Sequence, residues 1–248
     1  MEKLVEIGSL TAKQGFKNEK DVAQKFNSWK KDAEAQDWLN EMGYELKDIS
    51  NINAEVLHGH KTDVQVRIII QLKNSETVEN ISVKLVSNPH GFNQVDKREV
   101  DNYKELWDIP EEIVQLLKLF TGKIRSAQRG LRDPRRMFFD EMSHEEQIRI
   151  LDFFHANKKL IISDVLKGRG AYAASWMLVV LKTKSDTKWC LKTMREAIEI
   201  FSKGKVEFSK KGSLNIGKIT MQRKGGDKGR EPSKMLQFKI NPLALLGD

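Results

Sequence analysis

Two apolar, β-branched runs stand out along the chain. Residues 64–72 read Val-Gln-Val-Arg-Ile-Ile-Ile-Gln-Leu, and residues 81–86 read Ile-Ser-Val-Lys-Leu-Val. The polar link between them, 73–80, contains Asn and Ser, so the stretch predicts a β-hairpin with a long connection. Side chains on a strand alternate between faces. Ser82 and Lys84 therefore point one way, roughly 6 to 7 Å apart, while Val83 and Leu85 point the other.

Upstream, Phe16, Val22, Ala23 and Phe26 fall near helical spacing and predict a helix over 11–39, which ends before Gly43. A short strand is expected at 54–57, leading into the turn His58-Gly59-His60. Those two histidines alternate around a glycine, which fits a solvated turn better than a metal site. After the hairpin, 87–98 is polar, contains Pro89 and Gly91, and reads as a loop with Phe92 at its middle. Helical period returns over 100–120, where Pro110 followed by two glutamates marks the start of a second helix. Ser143-His-Glu-Glu146 has the capping-box pattern and begins a helix through Phe154. Strands are predicted at 159–165 and 176–183, an amphipathic helix at 188–201, and polar strands over 206–240. The glycine pairs near 225–229 suggest a hairpin tip there.

A chain of 248 residues, 39% hydrophobic and 31% charged, is long enough to bury a sizeable core in one large domain or two modest ones. No apolar run approaches the ~20 residues that span a bilayer, and the N-terminal residues lack the apolar core of a secretory signal. The lone cysteine, Cys190, excludes an intrachain disulfide and reads as a small core residue. These features point to a cytoplasmic protein with no membrane partner. The net charge of +8 favours a polyanion such as nucleic acid. The excess collects at 123–136, 203–211 and 218–239. No Walker pattern and no Gly-x-Gly-x-x-Gly after a strand is present, so no nucleotide cofactor is implied.

Charge at the hairpin then acquires a chemical reading. Asp63 stands at the entry of the first strand and Lys84 lies in the middle of the second. An acid and a lysine on neighbouring strands can share a metal ion and an attacking water. Asp164 and Lys182 repeat the layout more weakly, because Lys182 falls at a strand end where an exposed lysine is ordinary. Amides and cations in the 87–98 loop suit base edges, and Phe92 could wedge between base steps or tuck back onto the core. The arginine-rich segment, with Arg125, Arg129, Arg132, Arg135 and Arg136, suits phosphate contacts or a solvated loop.

These residues together resemble the HinP-type, GCGC-cutting type II restriction endonucleases of the PD-(D/E)xK nuclease superfamily. The likeness runs over essentially the whole chain. It is densest at Gly15-Phe-Lys-Asn-Glu19-Lys-Asp, Glu34-Ala-Gln-Asp-Trp38-Leu, Val83-Lys84-Leu-Val-Ser-Asn88, Gly91-Phe-Asn-Gln94, Arg135-Arg136-Met137-Phe138 and Gln222-Arg-Lys-Gly-Gly-Asp227. The resemblance implies an α/β fold with a mixed central sheet flanked by helices and a C-terminal α+β DNA-recognition portion. The chain is read as a catalytic region, 1–122, and a DNA-recognition and backbone-binding region, 123–248, either separate or joined in one compact unit. Asp63 and Lys84 match the catalytic line, and Glu19 matches the helical acid that often joins it. Ser82 departs from the family, occupying the place of a metal-coordinating Glu or Gln. The implied cofactor is Mg²⁺, with Mn²⁺ as a substitute, held by Asp63, the Val83 carbonyl and Glu19. Sequence reading is implied for Phe92, Asn93, Gln94 and Lys97, and for Gln222, Arg223, Lys224, Asp227 and Arg230. Arg129, Arg132, Arg135 and Arg136 are expected to grip the backbone of double-stranded DNA. A monomer or weak homodimer would serve, since one catalytic centre per chain permits either. Two readings stand at this point: a site-specific deoxyribonuclease of a restriction-modification system, or a DNA-binding protein that keeps the fold and has lost cleavage through Ser82.

Overall fold

The β-branched runs at the middle of the sequence pair with each other, and one sheet is built outward from them. The structure is a computed structural model and describes residues 17–57, 65–88, 91–128, 131–183, 187–226 and 230–247. Strands β1 (Ile49–Leu57), β2 (Gln65–Leu72) and β3 (Glu76–Val86) are successive antiparallel neighbours. The next strand in the chain, β4 (Asn93–Arg98), belongs to a second sheet. Beside β3 runs β5 (Trp176–Lys182), parallel to it, and β6 (Thr187–Thr193) closes the first sheet antiparallel to β5. The result is a mixed sheet in the order β1-β2-β3-β5-β6.

Helix α1 (17–27), a single 3₁₀ turn (Trp29–Lys31) and helix α2 (Ala33–Glu41) replace the one helix expected over 11–39. Residues 11–16 lie outside the described residues. The break has a local cause: the Asp32 carboxylate accepts the Ala35 N–H at 3.0 Å and so caps a new helix. Val22, Phe26, Trp38 and Leu39 from these helices bury against Ile52, Val66, Ile68, Ile81, Val83 and Leu178 of the sheet. Each such side chain contributes about 1.5–3 kcal/mol by leaving water. The turn joining β2 to β3 spans 73–75 and is much shorter than the polar link expected. The first half of β3, Glu76-Thr-Val-Glu-Asn80, is mostly polar and reaches solvent at Glu76 and Val78, so its composition imitates a loop.

The second sheet is antiparallel throughout, in the order β4-β10-β9-β8-β7, from β7 (Val206–Phe208), β8 (Leu214–Ile216), β9 (Ile219–Arg223) and β10 (Leu236–Ile240). Strand β4 falls where a loop was expected, since it is polar and its partner β10 lies far along the chain. Helices α3 (Val100–Trp107), α4 (Glu111–Thr121) and α5 (His144–Ala156) begin where the sequence places them, with Pro110 and the Ser143–Glu146 capping box at the starts of α4 and α5. Tyr103 and Trp107 stack at 4.5 Å, and each meets Phe238 edge-on. Phe120, Phe139 and Phe208 form a continuous stack.

Two expected elements are corrected. Residues 159–165 are not a strand but part of helix α6 (Lys158–Lys167), which buries Ile161, Ile162, Val165 and Leu166 on one side. Asp164 accordingly has no strand to share with a lysine, and its carboxylate accepts the Trp107 indole N–H at 2.8 Å. The helix expected over 188–201 begins only at Met194, because the preceding residues are strand β6; helix α7 is Met194–Phe201.

The chain forms two interleaved compact units, one of 1–91, 167–197 and 242–248, the other of 92–166 and 198–241. Among the described residues no helix is long and apolar enough to cross a membrane.

Candidate functional site

In the first unit the candidate chemistry is carried by β3 and α1. Val83 joins the apolar cluster beneath the helices and Leu85 packs against it, so Ser82 and Lys84 face the opposite side of the sheet. Both are deeply enclosed: Ser82 is 2% exposed and Lys84 4%. Ser82 lies opposite Gln65 on β2 and Met177 on β5, and Lys84 lies opposite Val179. A lysine in the middle of a buried strand is costly unless a function or partner retains it. Glu19, in the first described turn of α1, is 8% exposed. Asp63 lies outside the described residues; Gln65, two residues further on, is the residue paired with Ser82. Along the same face the Asn80 amide donates to the carbonyls of Ala171 and Ala173 at 3.0 and 3.2 Å, tying β3 to the segment that leads into β5. Cys190 is half-buried rather than part of the core, and burial raises its thiol pKa. Among the described residues no three His, Cys, Asp or Glu side chains gather in a cluster that could hold a metal.

In the second unit the sheet itself makes a polar, cationic surface. In β9 and β10 the residues Ile219, Met221, Leu236, Phe238 and Ile240 turn to the core. Their alternates Thr220, Gln222, Gln237 and Lys239 share the other face through the pairs Gln222–Gln237 and Thr220–Lys239. A cleft of about 620 Å³ opens on this face, lined by Phe92, Phe120, Arg136, the 209–213 turn, Asn215, Thr220, Gln222, Arg223 and Lys239. Phe92 is 56% exposed and so does not tuck onto the core. Burial and the neighbouring Arg223 lower the Arg136 pKa, while burial lowers those of Arg223 and Lys239. The Lys224 ammonium is pushed down by burial and then by Lys97 and Arg230. Crowded cations of this kind form a surface complementary to a polyanion.

The arginine-rich segment divides by role. Arg136 lies against two rings, its guanidinium carbon 3.9 Å from the centre of Phe138 and 5.7 Å from that of Phe120. Arg132 sits over Phe138 as well and pairs with Asp140 and Glu141. Arg135 is held by Asp133, which accepts its Nε at 2.8 Å and its Nη2 at 2.9 Å. Gly122 seats this segment on the end of α4: its φ is +76°, and a Cβ there would run into the Arg135 carbonyl oxygen. Arg129 and Asp227 lie outside the described residues.

The Asp133 contact has a pH signature. Arg135, hydrogen-bonded to it, is the chief cause that holds the Asp133 carboxyl down from its ordinary 3.8 to about 2. An acid with a depressed folded-state pKa stabilises the fold above its unfolded pKa, and that contribution disappears as pH falls through the folded value. Thermal midpoints measured from pH 6 to pH 2 should therefore show wild type above Asp133→Asn at the upper end, with the gap closing between about pH 4 and pH 2. A gap that stays constant across the range would contradict the assignment.

Sequence reasoning missed Gln237, Lys239, Lys210 and Lys211. The first two were legible in the strict alternation of Leu236-Gln-Phe-Lys-Ile240, whose polar members share the face of Gln222. The lysines lie in the turn between β7 and β8, and only its placement beside the cleft distinguishes them from ordinary surface lysines.

Comparison with known proteins adds two findings. The family model described as R.HinP1I restriction endonuclease matches residues 42–246. A crystal structure of the restriction endonuclease MspI in complex with its cognate DNA is similar in fold. Its TM-score is 0.58 at 12% identity, over 87% of this chain and 80% of that one. No curated protein sequence matches the chain.

Proposed function

Starting from the chain's membership of the R.HinP1I restriction endonuclease family, which makes it a type II site-specific endonuclease that acts on DNA, we propose that it hydrolyses duplex DNA at the palindrome GCGC with Mg²⁺. Lys84, charged in type yet enclosed in the middle of a strand, is the observation that carries the catalytic assignment. Asp63, the Val83 carbonyl and Glu19 would hold the ion, an all-oxygen donor set of the kind a hard divalent cation selects, with Mn²⁺ as a substitute. When bound, the ion supplies polarisation of the phosphate and a lowered pKa for water, worth several kcal/mol of developing charge.

The chain's own groups do the rest. Lys84 orients the attacking water and offsets negative charge as the new oxygen–phosphorus bond forms and the bond to the departing sugar oxygen breaks. Ser82 offers only a short, neutral hydroxyl where the resemblance implies Glu or Gln, so it would hold the ion weakly or through water. The apolar side of β3, anchored by Val83, keeps both groups from shifting. Base reading falls to Phe92, Asn93, Gln94 and Lys97 and to Gln222, Arg223, Lys224, Asp227 and Arg230. Backbone grip falls to Arg129, Arg132, Arg135 and Arg136.

Ser82 specifically favours a second reading, a DNA-binding protein that keeps the fold without cleavage. Plasmid DNA incubated with and without Mg²⁺ separates the two. Discrete bands only with the ion are expected, and mapping their ends gives the recognition sequence. Intact plasmid at all ion concentrations would leave the binding module as the function, and a smear would rule out site specificity.

A further inference from the structure

Three glutamines on three adjacent strands form a directed chain of amides. Gln222 of β9 donates its Nε2–H to Oε1 of Gln237 on β10, at 3.3 Å. Gln237 in turn donates its Nε2–H to Oε1 of Gln94 on β4, at 2.5 Å. Gln237 is only 8% exposed, whereas Gln94 is exposed and Gln222 half-buried beside the cleft. A primary amide has one oxygen and one NH₂ group, so committing one end of Gln237 dictates what the other end does. With Gln237 donating to it, Gln94 has its oxygen engaged and its NH₂ to offer. Gln222, donating to Gln237, has its oxygen to offer. Reversing the direction would require all three amides to turn together.

We propose that Gln237 is a positioning residue that sets the hydrogen-bonding sense of the two outer amides: Gln94 meets a base acceptor and Gln222 meets a base amino group. The acceptors available in the major groove are purine N7, guanine O6 and thymine O4, and the amino donors are cytosine N4 and adenine N6. A free glutamine reads adenine through both of its ends; the chain removes that option from Gln94 by turning its oxygen inward, toward the Gln237 amide. The inference rests on the reading that this sheet face meets DNA, and it assigns specificity to a buried residue that need not touch the base.

Gln237→Glu provides the test. A carboxylate accepts from both sides, so Gln222 keeps its sense while Gln94 must turn its NH₂ inward and present its oxygen. Duplexes with randomised central base pairs, selected by binding in the absence of divalent ion, report base preference at each position. The expected result is a change of preference on the order of tenfold at the position read by Gln94, with the Gln222 position unchanged. Gln237→Met, close in volume but without either amide atom, should lose preference at both positions together. A uniform loss of affinity with unaltered preference in both variants would overturn the proposal, since that is what a merely structural or electrostatic role produces. Gln94→Ala and Gln222→Ala, run alongside, identify which premise fails. Altered preference in these but not in the Gln237 variants rejects the positioning role alone. Unaltered preference in all four rejects the DNA-reading face and the inference with it.

Discussion

Lys84→Ala should abolish plasmid cleavage while leaving duplex binding in place. The lysine lies on the strand face opposite the apolar cluster that fixes β3, so removing its side chain leaves Val83 and Ile81 where they are. On the proposed mechanism, what is lost is a cation placed where negative charge gathers on the phosphate. Deleting a single preorganised group of that kind costs on the order of 10²–10³ in rate, about 2.7–4 kcal/mol of transition-state stabilisation. Truncating a buried side chain also leaves a cavity, which costs some stability, so thermal midpoint and cleavage should be measured on the same preparation. A variant that melts a few degrees lower, binds duplex and fails to cut fits the assignment. A variant that cuts at the wild-type rate would sink it.

Arg136→Ala should weaken binding to every duplex alike and flatten its salt dependence. Arg136 lines the cleft, and its pKa is lowered by burial and then by Arg223, with Asp133 at 3.8 Å opposing the shift. Each phosphate contact removed lowers the slope of log affinity against log salt by about 0.9, so the variant should lose about one unit of slope. Arg135→Ala should do less, because Asp133 already holds that guanidinium within its own loop. Arg136 also packs on Phe138 and Phe120, contacts worth about 0.5–2 kcal/mol each when partly desolvated, so some loss of stability accompanies the change. A salt titration on cognate and unrelated duplexes decides the matter: a loss confined to the cognate duplex would mean that Arg136 reads bases.

Where pairing partners are near in sequence or the pattern is strongly periodic, the chain declares its structure before folding is considered. The β2–β3 hairpin, the opposite facing of Ser82 and Val83, the helix start at Pro110 and the capping box at Ser143 all follow from neighbours a few residues away. The charge excess that singles out a polyanion is likewise a property of composition. The expected site residues, from Glu19 to Gln222, come from local motifs, and among them Ser82 is the departure that the sequence itself shows.

Tertiary structure decided the rest, and for one physical reason: the interactions that choose between states come from far along the chain. Residues 159–165 contain enough β-branched character for a strand, but the burial of Ile161, Ile162 and Val165 selects a helix. Residues 187–193 carry a helical polar pattern, yet pairing with β5 along their whole length makes them a strand. Residues 93–98 look like a loop until β10, more than a hundred residues later, supplies their hydrogen bonds. The amide chain arises the same way. Gln94, Gln222 and Gln237 are unremarkable singly, and only the register of three strands makes one of them the buried link between the other two.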